Sequence, residues 1–338
     1  MGEIKINASK PYNVYIEKDF SLFKEVFYKT ISCDKVLVVT DDNCVKFYNH
    51  KIKDLLSEKT VYEYVIKAGE ESKNSENYLA ILSFLACNDF TRRDCVIAFG
   101  GGVVGDLAGF VASTYMRGIA FVNVATTLLS AVDSSVGGKT AIDLPYGKNL
   151  VGTFYQPSLV YISLDFFKTL PQKEISNGFG EIIKYYFLTD DITEEDLVTV
   201  SEKLIYKCVN VKRQIVEQDE KESGVRKLLN LGHTVAHAIE KLSNFTIPHG
   251  EAVVKGLNEA LIMSQKYFSL SGVTVEKAKR IISCKGHDLT IPFSKEEIIK
   301  NLVNDKKNNG KTISFILLNN RLKPEIIDLT FDKIKELY

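Results

Sequence analysis

Asp94-Cys-Val-Ile-Ala-Phe-Gly-Gly-Gly-Val-Val-Gly-Asp106 decides the fold. Its first six residues form a short apolar run of the buried-strand type. The glycines that follow read as a tight turn leading into a helix pattern. Glycine lets the backbone approach a ligand closely, and exposed N–H groups at a helix start favour a pyrophosphate. Gly100, Gly102 and Gly105 occupy the three glycine positions of GxGxxG, although the run is not a strict copy. An acidic residue about 20 positions beyond, which a standard ribose site uses, is replaced by Thr126-Thr127. Alone, the turn reads either as structural punctuation or as a dinucleotide site.

Working outward, Lys35-Val-Leu-Val-Val-Thr40 is another buried-strand run, and Asp41-Asp42-Asn43 turns the chain and caps a helix starting near Val45. Residues 13–16 and 61–66 are further strand candidates, and 75–87 has helical spacing. Strands alternating with helices imply βαβ units and a mainly parallel sheet. After Pro171 most windows read as helix: 175–187, 197–219, 232–242, 250–269, 275–283 and 295–304. Residues 312–318 read as a β element and the stretch from Phe331 as helix. The expected architecture is α/β plus α: a Rossmann-like parallel-sheet domain over 1–165 and a mostly α-helical domain over 166–338. The boundary falls near 163–171, and a cleft between the domains is the default site.

The 338 residues suit two domains, and 43 basic side chains balance 43 acidic ones. Zero net charge argues against a general nucleic-acid binder, which draws its affinity from excess Lys and Arg, and against binding to an anionic membrane surface. The first twenty residues hold no apolar core long enough for a signal peptide, and no stretch is apolar enough for a membrane span. Six scattered cysteines without a CxxC pair fit reduced, structural thiols in a cytoplasm.

Two further constellations carry chemistry. Val132-Asp-Ser-Ser-Val-Gly-Gly-Lys-Thr140 and Gly147-Lys148-Asn149 form a glycine-rich segment presenting Lys139, Lys148 and Asn149, with Arg117 nearby. No Walker A can be built, because Asp133 stands where its first glycine belongs. Clustered cations and amides suit a phosphate or carboxylate; the alternative is a solvated loop with ordinary surface lysines. In the helical half, Glu181 and Lys184 share a helical face. His233 and His237 are four apart, the spacing at which two imidazoles face one metal, and His249 follows in Pro248-His-Gly250. His50 and His287 read as ordinary core or surface residues.

In this order, the three constellations resemble the 3-dehydroquinate synthase family. The likeness runs from about Val36 to Asp305 and is dense at Gly100–Leu107, Tyr115-Met-Arg-Gly118, the Thr126–Thr140 stretch, Gly147-Lys-Asn149 and Leu229-Asn-Leu-Gly-His233. The family pairs a Rossmann-like domain with a helical one, usually as a homodimer. The resemblance implies NAD contacts at Asp41, Asn43, Glu70, Lys73, Gly101, Gly102, Asp106, Thr126, Thr127 and Thr169, with Lys139 and Lys148 beside both ligands. It implies Zn or Co on Glu181, His233 and His249, which moves His237 from the metal to the substrate pocket. Substrate groups would meet Arg117, Asp133, Lys139, Asn149, Lys184, Lys212, Arg226, Asn230 and His237, with Lys306 or its neighbour Lys307 completing the set. Catalytic roles fall to His237, Lys139, Arg117 and Lys184.

The implied reaction converts 3-deoxy-D-arabino-heptulosonate 7-phosphate to 3-dehydroquinate and phosphate in the shikimate pathway of aromatic amino acid biosynthesis. It proceeds by transient oxidation of a ring hydroxyl, phosphate elimination, re-reduction and an aldol closure. The rivals are another sugar-phosphate cyclase forming 2-deoxy-scyllo-inosose or a valiolone, a metal-dependent polyol dehydrogenase, and a catalytically dead binding protein. The joint presence of Lys212, Arg226, Asn230 and His237 favours dehydroquinate synthase. Departures from the family pattern are small: Ala125 before the threonine pair, Phe154-Tyr155, and Gly178-Phe-Gly180 before Glu181.

Overall fold

The computed structural model describes residues 2–48, 51–306 and 312–338, the side chains of 303–306 excepted. His50 and Lys307 therefore lie outside the described residues, as does the side chain of Lys306. The chain forms two compact units, Met1–Pro171 with Ser201–Glu220 and Gln172–Val200 with Lys221–Tyr338.

The first unit is built on β1 (Gly2–Ile6), β2 (Tyr12–Glu17), α1 (Phe23–Thr30), β3 (Lys35–Asp41), α2 (Asp42–Tyr48), α3 (Lys51–Leu55), β4 (Thr60–Ile66), α4 (Ser75–Cys87), β5 (Cys95–Gly100), α5 (Gly102–Thr114), β6 (Ala120–Ala125) and β9 (Leu159–Ser163). Among the described residues these strands form a seven-stranded sheet in the order β1-β2-β9-β6-β5-β3-β4. Only β1 pairs antiparallel, with β2; the other pairings are parallel. Every residue of β5 is buried, as its unbroken apolar run requires of a strand covered on both faces. Leu107, Ala108 and Val111 of α5 pack with Leu37, Val96, Ile81 and Phe121 in one buried cluster.

Two local expectations are corrected. The segment presenting Lys139, Lys148 and Asn149 is an antiparallel hairpin, β7 (Lys139–Leu144) and β8 (Gly147–Phe154), rather than a loop. Buried Thr140, Ala141 and Ile142 anchor it, and the Thr140 hydroxyl donates to the Thr153 carbonyl at 3.0 Å. The window 197–219 is not one helix. A 3-10 turn, Asp196–Val198, is followed by extended Thr199 and then by α7 (Glu202–Gln218). The β-branched run Val198-Thr199-Val200 resists helix, and Ser201 caps α7 by accepting from the Leu204 N–H at 3.1 Å. Helix α7 packs on β1, β2 and a π-helical turn at Ser130–Ser134.

The second unit comprises α6 (Gln172–Leu188), α8 (His233–Leu242), α9 (His249–Phe268), α10 (Gly272–Ile282), α11 (Lys295–Lys306), the hairpin β10 (Thr312–Leu318) and β11 (Pro324–Thr330), and α12 (Phe331–Leu337). Helix α9 is its axis: α6, α8, α10 and β10 all pack against it, and its Ser264 hydroxyl accepts from the Leu318 N–H at 2.8 Å. The strand β11 escaped the sequence reading because Pro324-Glu-Ile-Ile-Asp lacks clean alternation. Among the described residues no helix is long and apolar enough to cross a membrane.

Leu107 is fully buried where α5 meets the sheet. Leu107→Ala is expected to lower unfolding stability by about 2–5 kcal/mol in urea titration; a loss below about 1 kcal/mol would contradict this packing.

Candidate active site

In the first unit the glycine-rich turn opens α5. Gly101 is the N-cap, in an extended conformation without a side-chain cap, so the first N–H groups of a thirteen-residue helix carry no side-chain cap bond there. A Cβ on Gly101 would lie 2.9 Å from the Thr127 methyl, and one on Gly102 would lie 3.1 Å from the Ser134 hydroxyl. That hydroxyl is buried and has no hydrogen-bond partner among the described residues. The turn is thus a cradle of backbone donors with a waiting polar atom, which fits a pyrophosphate.

Beside it, Lys73 is buried, with its ammonium 2.7 Å from Glu70, 3.3 Å from Asp106 and 3.7 Å from Asp143. Burial pulls this ammonium down, but Asp106, Glu70 and Asp143 more than offset it and push its pKa above the ordinary value. Burial pushes Asp106 up to about 6 despite Lys73. Lys148 lies 3.7 Å from Glu70, and the Asn149 N–H donates to Asp143 at 2.8 Å. Glu70, Lys73, Asp106, Lys148 and Asn149, expected separately from the sequence, are therefore joined in one network. Asp143, which joins them, had no motif to reveal it.

Asp41, at the end of β3, accepts from the Cys44 N–H at 2.9 Å, and the Cys44 thiol lies 3.5 Å from the Thr126 hydroxyl. Thr169 is hydrogen-bonded to the Tyr48 hydroxyl at 2.5 Å. Asn43 is exposed on α2. Lys212 of α7 donates to the Asp133 carboxylate at 2.8 Å and to its carbonyl at 2.6 Å; Asp133 sits in the π-helical turn, an irregularity common at functional sites. Arg117 is exposed at a turn where it and Met116 both have positive φ. Lys139 is exposed at the start of β7.

In the second unit, Glu181 of α6, His233 of α8 and His249 of α9 bring one ligand atom each within 4.8 Å of one another. The Nε2 atoms of His233 and His249 lie 3.3 and 3.2 Å from Glu181 Oε1. His233 Nδ1 is 3.2 Å from the Leu231 carbonyl and His249 Nδ1 is 3.4 Å from Glu240. These outer contacts turn both Nε2 atoms inward, as in metal centres. Two imidazoles and a carboxylate form a donor set that suits a catalytic divalent ion and leaves a position open. Burial pushes the Glu181 carboxyl up, yet Lys184, ion-paired to its other oxygen, and His233 hold it well below the usual carboxylate range. Burial pulls the His249 imidazole down, but Glu181 and Glu240 outweigh it and raise its pKa to about 10.

The pairing of His233 with His237 expected from spacing is corrected: His237 is exposed, its ring centre 5.5 Å from that of His233, and it is not in the converging group. His233 points inward while a residue four further on, at about 40° around the helix, points out. Arg226 is fully buried in a 3-10 turn, Val225–Asn230, and Asn230 donates to Glu222 at 2.6 Å. A cavity of about 530 Å³ lined by Tyr186, Asp190, Lys277 and Arg321 lies elsewhere in this unit and contains none of these groups.

What lets Glu181 meet His249 is the approach of α6 to α9. A Cβ on Gly180 would lie 2.2 Å from the Gly250 carbonyl oxygen, and one on Gly250 would lie 1.8 Å from that of Asn177. Asn177 also accepts the Gly250 N–H at 2.6 Å, capping α9 from a neighbouring helix. Neither Asn177 nor Glu240 was anticipated, although Glu240, seven residues after His233, shares its helical face.

Gly180→Ala is expected to weaken Co2+ binding at least tenfold in equilibrium dialysis, with far-UV circular dichroism retained; unchanged affinity would contradict the backbone contact. Asp106 binds its proton more tightly folded than unfolded, so its contribution is full below about pH 4 and is lost as pH rises through about 6. The stability of Asp106→Asn relative to wild type should therefore rise by about 2 kcal/mol between pH 4 and 7 in urea titrations; a difference that does not change with pH would contradict the buried charge.

The chain matches the model of the 3-dehydroquinate synthase N-terminal region over residues 63–177 and that of the C-terminal region over 178–308. It is 41% identical over 331 residues to 3-dehydroquinate synthase of Alkaliphilus metalliredigens, covering 94% of this chain and 92% of that protein. A solved 2-deoxy-scyllo-inosose synthase, complexed with carbaglucose-6-phosphate, NAD+ and Co2+, superposes with a TM-score of 0.89 at 24% identity, over 99% of both chains. The 2-epi-5-epi-valiolone synthase ValA from Streptomyces hygroscopicus, with NAD+ and Zn2+ bound, gives 0.85 at 22% identity, over 96% of this chain and 95% of that one. These two structures establish the shared two-domain architecture. On the strength of both sequence matches, this chain belongs to the 3-dehydroquinate synthase family and to its class of phosphate-eliminating cyclases.

Proposed function

We propose that this chain converts 3-deoxy-D-arabino-heptulosonate 7-phosphate to 3-dehydroquinate and phosphate, with NAD and a divalent metal, Zn or Co, as resident cofactors. The family places the reaction, and the observation that carries it to this chain is the convergence of Glu181, His233 and His249. The proposal takes the metal to be held by these three residues. It takes NAD to be held at the α5 turn, with Asp41, Asn43, Glu70, Lys73, Asp106, Thr126, Thr127 and Thr169 around it. When bound, NAD supplies reversible hydride exchange and the metal supplies Lewis-acid polarisation of a substrate hydroxyl.

The chain's own groups do the remainder. The N–H groups at the start of α5 receive the pyrophosphate. Lys73 arrives already neutralised by three carboxylates, so it orients Glu70 and Asp106 rather than adding a free charge. Lys184 keeps Glu181 anionic and so able to ligate. Asp133 fixes the Lys212 ammonium at 2.8 Å; the first unit's Lys212, Arg117, Lys139 and Asn149, and separately the second unit's Arg226 and Asn230, are groups of the type that receive a carboxylate, a phosphate and hydroxyls. His237, exposed one turn from His233, accepts and returns a proton. Lys306 belongs to the same proposal. So do a homodimeric state and a cytoplasmic site of action, which follow the family.

Purified protein with NAD and Zn2+ or Co2+ is expected to release phosphate from the heptulosonate phosphate, form dehydroquinate and accumulate no NADH. His233→Ala should lose at least a hundredfold in kcat. No phosphate release, with His233→Ala equal to wild type, would sink the reading; steady NADH formation would replace it with a dehydrogenase.

A further inference from the structure

Residues 285–290, between α10 and α11, touch α6 and α9, two of the three helices that carry the proposed metal ligands. His287 Nε2 lies 3.0 Å from the Ser176 carbonyl of α6 and 3.0 Å from its hydroxyl. The Lys285 ammonium sits 4.2 Å over the Phe179 ring, also on α6, and donates to the Val198 carbonyl at 2.6 Å. On the other side, Lys255 of α9, only 2% exposed, donates to the main-chain carbonyls of Asp288 at 2.5 Å and Thr290 at 2.7 Å. One short segment is thus bonded by a ring nitrogen to α6 and by two main-chain carbonyls to α9.

We infer that this segment is a clamp that sets the separation of α6 and α9, with His287 the positioning residue that holds Glu181 and His249 at ligating distance. The inference rests on the proposed metal centre. Its physical basis is leverage. Ser176 lies five residues before Glu181, and Lys255 six residues after His249. The helices cross between these points at Gly180 and Gly250, where no side chain separates the backbones. Glycines permit this approach but do not by themselves enforce it; the Asn177–Gly250 bond holds the crossing at one point. Ligand distances in a metal centre tolerate only about 0.2 Å, so a small splay of the helices is felt as lost affinity.

The chemistry of the clamp favours permanence. Burial lowers the His287 pKa, so the ring stays neutral, and a proton on Nε2 faces the Ser176 carbonyl. Its Nδ1 is buried and has no hydrogen-bond partner among the described residues. A ring held by one nitrogen while the other goes unbonded is costly to place, which sets His287 apart from a surface histidine. Lys255 is a buried cation whose ammonium is met by two carbonyls, with Glu251 at 3.6 Å and Asp288 at 3.7 Å adding charge.

The test uses the metal-stripped full chain and Co2+ alone, read by dialysis affinity and by the visible absorption of the bound ion, neither of which needs turnover. His287→Ala is expected to raise the Co2+ Kd about tenfold, the lower end of what outer-shell partners contribute, and to alter the absorption band. His287→Gln, which keeps an amide N–H near the Nε2 position, should restore both. Thermal melts of the metal-free variants separate positioning from general destabilisation. Wild-type affinity and spectrum in His287→Ala would overturn the clamp while leaving the metal centre intact. So would an affinity loss that His287→Gln fails to restore while melting like wild type. A wild-type chain that binds no Co2+ would overturn the metal centre and the clamp together.

Discussion

The backbone contact between Gly180 and Gly250 is the constraint on which the convergence of Glu181, His233 and His249, the proposed metal site, depends. Each glycine adjoins a proposed ligand, Glu181 on α6 and His249 on α9, so the distance between two helix backbones becomes the distance between those two side chains. Any side chain at either position would have to occupy space already taken by a carbonyl oxygen, at 2.2 Å in one direction and 1.8 Å in the other. The third member of the converging group, His233, comes from α8, which packs on the same α9. The helical unit is therefore arranged around α9 as a common reference, and its three donors converge because three helices share that axis.

The sheet unit solves a different problem, presenting backbone donors and charge without exposing them wastefully. Parallel strands bury their apolar runs on both faces, so β5 delivers the chain to its carboxyl end with no polar group until Gly101, where ligands meet open α/β sheets. The charges nearby are coupled. Lys73 gathers Glu70, Asp106 and Asp143, elements separated by up to 73 positions in the chain, around one buried ammonium. An excess of carboxylates over ammonium groups keeps that patch anionic, while Arg117 and Lys139 stay exposed. The overall balance of 43 basic and 43 acidic side chains thus conceals local segregation.

Much of this was legible beforehand. The strand–turn–helix at Asp94–Asp106, the helical character beyond Pro171, and the windows at 75–87 and 312–318 follow from local periodicity, which needs only neighbours in sequence. The proposed metal donors were legible by type, since two histidines and a glutamate in a helical region narrow the chemistry, but spacing alone favoured His237. The hairpin of β7 and β8 was hidden because glycines and lysines dominate its reading, while its register depends on Thr140 meeting Thr153. The break before α7 was hidden because apolar spacing runs across Thr199.

The sequence by itself determined the fold class, the glycine-rich turn and the identity of the groups able to bind phosphate, carboxylate and a divalent ion. These are properties of residue type and short-range order. Only the tertiary structure decided which groups meet: that Asp143 joins Lys73, that Glu240 stands behind His249, that Asn177 caps a helix 73 residues away. It also gave His287 its place against Ser176, at a separation of 111 residues. Side chains become partners through packing of elements, and packing is settled by backbone approach and register, which no local pattern encodes.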